Sequence, residues 1–566
     1  MSNEADGAPV ALAGAPPRAA GAGPSARRRG AAVVAAALGV ALLAVVFRCW
    51  RLDTVPPGLY VDEVLTARNA LAWRLEPEAG LLGARPLLIP GWVETSHLYL
   101  AFASAVLALG GDGLLGIRLV SILPSLVAVP LLFWLARGVA DRRTALLAAA
   151  LLACSHWAAR SGRTGWDAVL MVTLQLAALA CLVDAQRRGR IVPAAVAGAL
   201  AGLSLYTYVA AQLAVIHALL WLTWEVYAAR PREDAMRRLL AFAAAAAAVA
   251  APLLLRLGGS AGLASVRAAQ LSILTLEGPG EPWRTLGRNV GGHLLMFNLR
   301  GGAYARDALP GFPMLDPTTG LLFLAGVVVL SWRRARPELR LLLSWPLVMA
   351  LGGILSTSGE GPPYPYRVLS LAPWACLVAA IGGIALWDAA RARLAIHVRG
   401  ALPAATLLAI VLANGWVLFV AGPADPGSGR VYGTAATRLG RWLADHRGDR
   451  PAILLPGSLR SPPLPPGYRY AAANRTDFFR PADEVAAAQL AAGIYRHRPW
   501  RAVDPLRPAG DVDFVPTLPA RLTGPTLLVL PPEQEAAAER RFLIVRRAEL
   551  RHADGSPLAR ILLAAP

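Results

Sequence analysis

Apolar runs of about twenty residues, broken by short polar stretches, fill the first three quarters of the chain. The first runs from Gly30 to Phe47. Ten more follow at about 117–136, 144–160, 168–186, 191–210, 212–229, 238–256, 316–332, 339–356, 370–388 and 400–421. An α-helix rises ~1.5 Å per residue, so ~20 apolar residues cross the ~30 Å hydrocarbon of a bilayer. The pattern predicts a polytopic α-helical membrane protein of about eleven spans over residues 30–421. The run at 97–110, HLYLAFASAVLALG, is too short to cross and predicts a re-entrant or interfacial segment.

Beyond about residue 422 the long apolar runs stop, and Pro, Arg, Asp and Gly rise. Residues 432–446 predict an amphipathic helix with Leu439, Trp442 and Leu443 on one face, and 482–495 a second helix. Short apolar runs at 452–455 and 526–530 predict buried strands. Residues 541–550 and 558–564 predict a hairpin around Asp554-Gly555. The reading is a small C-terminal α/β domain over 422–566. At the other end, residues 1–29 are rich in Ala, Gly and Pro and predict a disordered cytoplasmic tail.

The basic residues set the orientation. Arg27–Arg29 precede the first run, and further clusters stand at Arg137/Arg142/Arg143, Arg187/Arg188/Arg190, Arg230/Arg232/Arg237/Arg238, Arg333/Arg334/Arg336/Arg340 and Arg391/Arg393/Arg399. If 97–110 does not cross, every cluster shares the side of the N-terminal triplet, as the positive-inside rule requires. The same parity puts 48–116, 160–168, 257–315, 357–369 and the C-terminal domain outside. No small-x-small cleavage site follows Phe47, so the first run reads as an uncleaved span with a cytoplasmic N-terminus.

Composition agrees. Of 566 residues, 56% are hydrophobic and 16% charged, too apolar for a soluble enzyme or a disordered chain. All 56 basic residues counted among Lys and Arg are Arg, against 36 acidic ones. This excess lies between spans and not along one face, which argues for a membrane and against nucleic acid. Cys49, Cys154, Cys181 and Cys376 lie in or beside apolar runs with no C-x-x-C spacing, and read as packing residues.

Candidate chemistry gathers in the outer loops. In VPPGLYVDEVLTARNALAWRL (55–75), Asp62 and Glu63 follow a Pro-Gly turn. Asp62 suits a helix N-cap and Glu63 the positive end of a helix dipole. Asp62 equally suits a general base at the membrane surface. In RSGRTGWDAVL (160–170), Asp167 stands beside Arg160 and Arg163, as an interfacial ion pair or as a second acid facing a cavity. In EGPPYPYRVLSLAP (360–373), Arg367 with Tyr364 and Tyr366 reads as an aromatic belt with a snorkelling Arg, or as a guanidinium fork for a lipid phosphate.

These strings resemble GT-C-type glycosyltransferases that use polyprenyl-phosphate sugars, the relatives of protein O-mannosyltransferases and lipid A aminoarabinose transferases. PPGLYVDE resembles their first outer loop, RLVSILPSLVAVPLLFWLARG (from Arg118) the span after it, and ARSGRTGWDAVL the second outer loop. PMLDPTTGLLFLAG (from Pro313) and PYRVLSLAP (from Pro365) resemble later landmarks in bacterial members. The resemblance implies an inverting transfer of a sugar from a polyprenyl-phosphate carrier to an extracytoplasmic hydroxyl on a glycan, lipid or protein acceptor. It implies Asp62 as catalytic base, Glu63 as its partner and Asp167 as the second-loop acid. Arg367 would lie near the carrier phosphate, with Tyr60, Arg163, Tyr366 and His97 as further substrate contacts. Many members carry His-Pro-Pro before the segment after the first loop. Thr95-Ser96-His97 stands there instead, so His97 is a remnant of that motif or an interfacial residue. Some relatives bind a divalent metal. Asp62, Glu63, His97 and His293 are the ligand candidates, without tight spacing. A flippase for a lipid-linked glycan is the reading from another class, but it predicts inverted repeats and midplane charges, and no repeat is seen. Sugar, acceptor, carrier length and oligomeric state stay open at this point.

Overall fold

The structure is a computed structural model that describes residues 24–75, 97–110, 114–228, 232–259, 272–273, 281–332, 337–358, 360–448, 450–455, 457–470, 473–474, 488, 512–552 and 554–566. Helix α1 (Pro24–Cys49) starts ahead of the expected span, within the stretch read as tail. In the first loop, α2 (Val61–Leu75) and α3 (His97–Gly110) pack on each other and on α4 (Leu114–Val139). There follow α5 (Arg142–Cys154), α6 (His156–Gly162), α7 (Asp167–Arg188), α8 (Ile191–Ser204), α9 (Ala211–Ala228), α10 (Arg232–Gly259), α11 (Glu281–Leu295), α12 (Pro317–Trp332), α13 (Pro337–Met349), α14 (Leu371–Ala390) and α15 (Ile396–Trp416).

Among the described residues, six helices are long and apolar enough to cross a membrane: Ala31–Cys49, Leu114–Val139, Asp167–Arg188, Arg232–Leu255, Leu371–Ala390 and Ile396–Ala424. They coincide with six of the expected runs, and the count of eleven is not reproduced. The run at 144–160 breaks at Ser155. That hydroxyl caps α6 by accepting from the Ala158 amide, and the His156 amide donates to Asn414 Oδ1. The runs at 191–210, 316–332 and 339–356 form shorter helices. Hydropathy reports burial or lipid contact; it does not report where the helical hydrogen-bond ladder is interrupted.

Small residues let the helices close up, as lipid-embedded packing favours. A Cβ on Gly198 or Gly202 of α8 would collide with the Phe242 and Ala246 carbonyls of α10. Gly326 of α12 and Gly382 of α14 make the same kind of approach to each other's helices. At one end of the bundle Arg143 forks onto Asp388 at 3.1 Å through each terminal nitrogen, and Arg187 donates to the Arg137 and Gly138 carbonyls. At the opposite end, residues from the four stretches assigned to the outside meet one another and the C-terminal chain.

In the C-terminal domain, α16 (Thr434–His446) packs Leu439 and Leu443 with Leu454, Leu527 and Ile561 of a five-stranded sheet. The sheet has the order β2-β1-β3-β5-β4. Strands β1 (Ala452–Leu454), β2 (Val512–Phe514) and β3 (Thr526–Leu530) are parallel. The pair β4 (Leu543–Arg551) and β5 (Pro557–Ala565) forms the expected hairpin, with Gly555 at φ +83° in its turn. Strand β2 and the helix α17 (Pro532–Arg541) were not anticipated. The helix expected at 482–495 lies outside the described residues.

Candidate functional site

The first turn of α2 presents two acids with different surroundings. Glu63 is fully buried. It accepts from its own loop at the Tyr60 amide (2.8 Å) and from the second loop at the Gly165 amide (3.2 Å). Arg118 of α4 lies 3.6 Å from it and donates to the Leu52, Pro56 and Gly58 carbonyls, so one buried guanidinium pins the whole turn before α2. Burial pushes the Glu63 carboxyl above the ordinary range, ahead of the lowering by Arg118. Asp62 points the other way, where Oδ2 accepts from the indole N–H of Trp166 at 3.2 Å. Ser121, one turn beyond Arg118, holds Trp166 by accepting from its amide (2.6 Å) and donating to its carbonyl (3.0 Å). The string RLVS thus supplies both braces.

Trp166 reaches the fourth outer loop, 357–369. Its ring stacks on Tyr366, with centroids 5.4 Å apart and planes 17° from parallel. The Tyr366 hydroxyl accepts from Arg367 Nε at 2.7 Å, and Arg367 Nη1 donates to the Thr357 carbonyl. Asp62 and Arg367 therefore stand at the two ends of one buried stack. Asp167 begins α7 next to Trp166 and is buried.

At the centre of the stack is a residue the sequence reading passed over. The Arg306 guanidinium lies 3.9 Å from the Tyr366 ring centroid, 4.6 Å from Tyr304, 4.7 Å from Trp166 and 5.3 Å from Tyr60. It donates to Tyr60 Oη at 3.1 Å, forks onto Asp307 at 2.7 and 3.3 Å, and approaches Glu360 at 3.8 Å. Burial disfavours its charge, but Asp307, Tyr60 and Glu360 outweigh that and hold it more basic than an ordinary arginine. Such a cation facing four ring faces is held electrostatically as well as by packing. Burial in turn raises Glu360 despite Arg306 beside it. The signals available in sequence were the Arg-Asp pair shortly before PMLDPTTG and the acid that opens EGPPYPYR.

The other candidates fall elsewhere. Arg163 is buried and forks onto the Phe47, Trp50 and Val55 carbonyls, bracing the exit of α1. His97 opens α3, and its side chain is outside the description. The imidazole of His293 sits between the Asn289 carbonyl (2.7 Å) and the Tyr364 amide (3.3 Å). Among the described residues, no three of His, Cys, Asp and Glu lie together. Glu63 faces an arginine and two amides, and both His293 nitrogens are engaged, so neither of these two is free to ligate a metal. Asp316 of PMLDPTTG caps α12 through the Thr318 and Thr319 amides and accepts from Asn414, so that motif is a joint between helices.

Residues 96–255 match the family model described as dolichyl-phosphate-mannose-protein mannosyltransferase. ArnT from Cupriavidus metallidurans bound to undecaprenyl phosphate is similar over 95% of this chain and 98% of its own, at 15% identity and a TM-score of 0.51. Its apo state gives 14% identity, the same coverage and a TM-score of 0.50. The oligosaccharyltransferase AglB from Archaeoglobus fulgidus, in complex with an inhibitory peptide and a dolichol-phosphate, matches at 13% identity over 82% of this chain, with a TM-score of 0.48. The chain spans 61% to 64% of the length of the archaeal oligosaccharyltransferase structures. No curated protein matches the sequence. Residues 96–255 thus carry a match to a mannosyltransferase family model, and along nearly all of its length the chain has the multi-helical membrane-protein fold seen in ArnT, with a small C-terminal α/β domain.

Proposed function

We propose that the protein transfers a sugar from a polyprenyl-phosphate carrier to an acceptor hydroxyl at the extracytoplasmic surface, with inversion at the anomeric carbon. One observation carries the reading: a buried acid, Asp62, and two guanidinium groups, Arg306 and Arg367, sit on one aromatic stack built from four loops. Asp62 accepts the proton of the acceptor hydroxyl as its oxygen attacks the anomeric carbon. The bond to the carrier phosphate breaks, and the phosphate leaves with the negative charge it needs no proton to bear. Arg306 and Arg367 face that growing charge, where preorganised donors in a dry site act most strongly. Asp167 is the second acid beside the stack and orients the acceptor. The orientation follows the arginines: their clusters lie in the cytoplasm and the stack outside, at the headgroup level.

The competing reading is a flippase that moves a lipid-linked glycan without bond chemistry. The experiment is to incubate membranes containing the protein with a radiolabelled polyprenyl-phosphate sugar. Label released from lipid or found on an acceptor supports transfer. Label that changes leaflet while still lipid-linked refutes it.

A further inference from the structure

The described chain after α15 holds the backbone beneath Arg306. Asn474 is fully buried. Its Oδ1 accepts from the Ala305 amide at 2.9 Å, and its Nδ2 donates to the Ala303 carbonyl at 3.0 Å. Tyr432, also fully buried, donates its hydroxyl to the Arg306 carbonyl at 2.9 Å. Arg160 of α6 supplies the remaining donors, to the Ala305 and Arg306 carbonyls. The same segment reaches the other half of the site, where the Leu59 amide donates to Thr437 Oγ1 at 3.2 Å, three residues before Asp62.

These contacts have one geometric consequence. Arg306 meets three rings and an acid from other loops, Tyr60, Trp166, Tyr366 and Glu360, so its place depends on where its own backbone is fixed. Between Ala303 and Arg306, four backbone polar groups bond to side chains from distant elements, and Asn474 alone supplies two of those partners. Resting on the transferase reading above, we propose that Asn474 and Tyr432 are positioning residues that set the Arg306 guanidinium in its aromatic box. The segment from Tyr432 to Asn474 is then a structural part of the transfer site and not a separable appendage. Asn474 is itself wedged, since a Cβ on Gly427 would lie 2.8 Å from its Cγ. Gly427→Ala therefore crowds Asn474 without removing its polar atoms, and crowds the Tyr468 hydroxyl at the same distance.

The test uses the full-length protein in lipid nanodiscs. Hydrogen exchange is followed in peptides covering 300–312, with 320–332 of α12 as control. Freeing the buried Ala305 amide speeds its exchange by roughly tenfold or more. Asn474→Ala and Gly427→Ala are expected to show this in 300–312 only, and Tyr432→Phe a smaller effect, because Arg160 still serves the Arg306 carbonyl. Initial transfer rates, measured well below the thermal midpoint of each variant, should fall about tenfold in Asn474→Ala. In an Arg306→Ala background the same change should cost less than twofold, because the group being positioned is gone. Unchanged exchange in 300–312 for both Asn474→Ala and Gly427→Ala would overturn the proposal, as would an equal rate loss in both backgrounds. If the wild type transfers no sugar, the transferase reading fails while the exchange arm still decides whether Asn474 holds this loop.

Discussion

Asp62→Asn separates proton transfer from architecture. In the structure Asp62 makes its bond to Trp166 as an acceptor, at 3.2 Å. Asparagine keeps a carbonyl oxygen of the same reach, so the Trp166–Tyr366 stack and the guanidinium groups around it stay in place. What asparagine cannot do is take a proton near neutral pH. A positioned general base contributes ~10²–10⁴-fold, which at ~1.4 kcal/mol per decade is about 3–5 kcal/mol of barrier. The expected outcome is a fall in kcat of that size, with the donor KM unchanged or lowered, because a negative charge near an anionic phosphate has been removed. The assay is initial rates with purified protein and a radiolabelled polyprenyl-phosphate sugar, alongside thermal unfolding in the same detergent. A kcat within threefold of wild type, at an unchanged unfolding midpoint, would remove Asp62 from the chemistry.

Three further outcomes follow from the same geometry. Arg367→Ala should raise the donor KM by roughly 10–100-fold, the size of one charged hydrogen bond, and Arg367→Lys should raise it less; equal effects would argue against a contact with the carrier phosphate. Glu63 accepts one backbone amide on each oxygen, beside Arg118. Glu63→Gln should then cost ~1–3 kcal/mol for one orphaned amide, and Glu63→Ala more, because both amides are orphaned; chemical denaturation that ranks them the other way contradicts this. Burial raises the Glu360 carboxyl, so the folded protein takes up that proton before the unfolded chain does. Its stabilising contribution is complete below the ordinary value of 4.5 and is lost as pH rises through the folded value. Glu360→Gln should flatten that limb of the pH–stability curve, and an unaltered limb would assign it to other groups.

The linear pattern determined the class of protein and pointed to the loops that carry its candidate chemistry. Twenty-residue apolar runs can only be satisfied in lipid or in a large core, and arginines confined to alternate breaks predict a topology, so membrane residence and the loops holding the candidate residues were legible. Asp62, Asp167 and Arg367 stood out because a charged residue beside an apolar run is costly unless it has work to do. Tertiary structure decided the rest. Residue order cannot say that Glu63 turns toward Arg118 while its neighbour turns toward Trp166, since adjacent helical positions point about 100° apart and only packing fixes which faces inward. Nor can it show Arg306, because an Arg-Asp pair in a loop looks like any solvated pair until three rings from other segments close over it. Helix ends were equally opaque: Ser155 interrupts an apolar run because its hydroxyl and Asn414, 259 residues further along, capture the amides that a continuous helix would have used. Burial, charge pairing and loop closure are properties of the whole fold, and they gave the acid and the two guanidinium groups a common site.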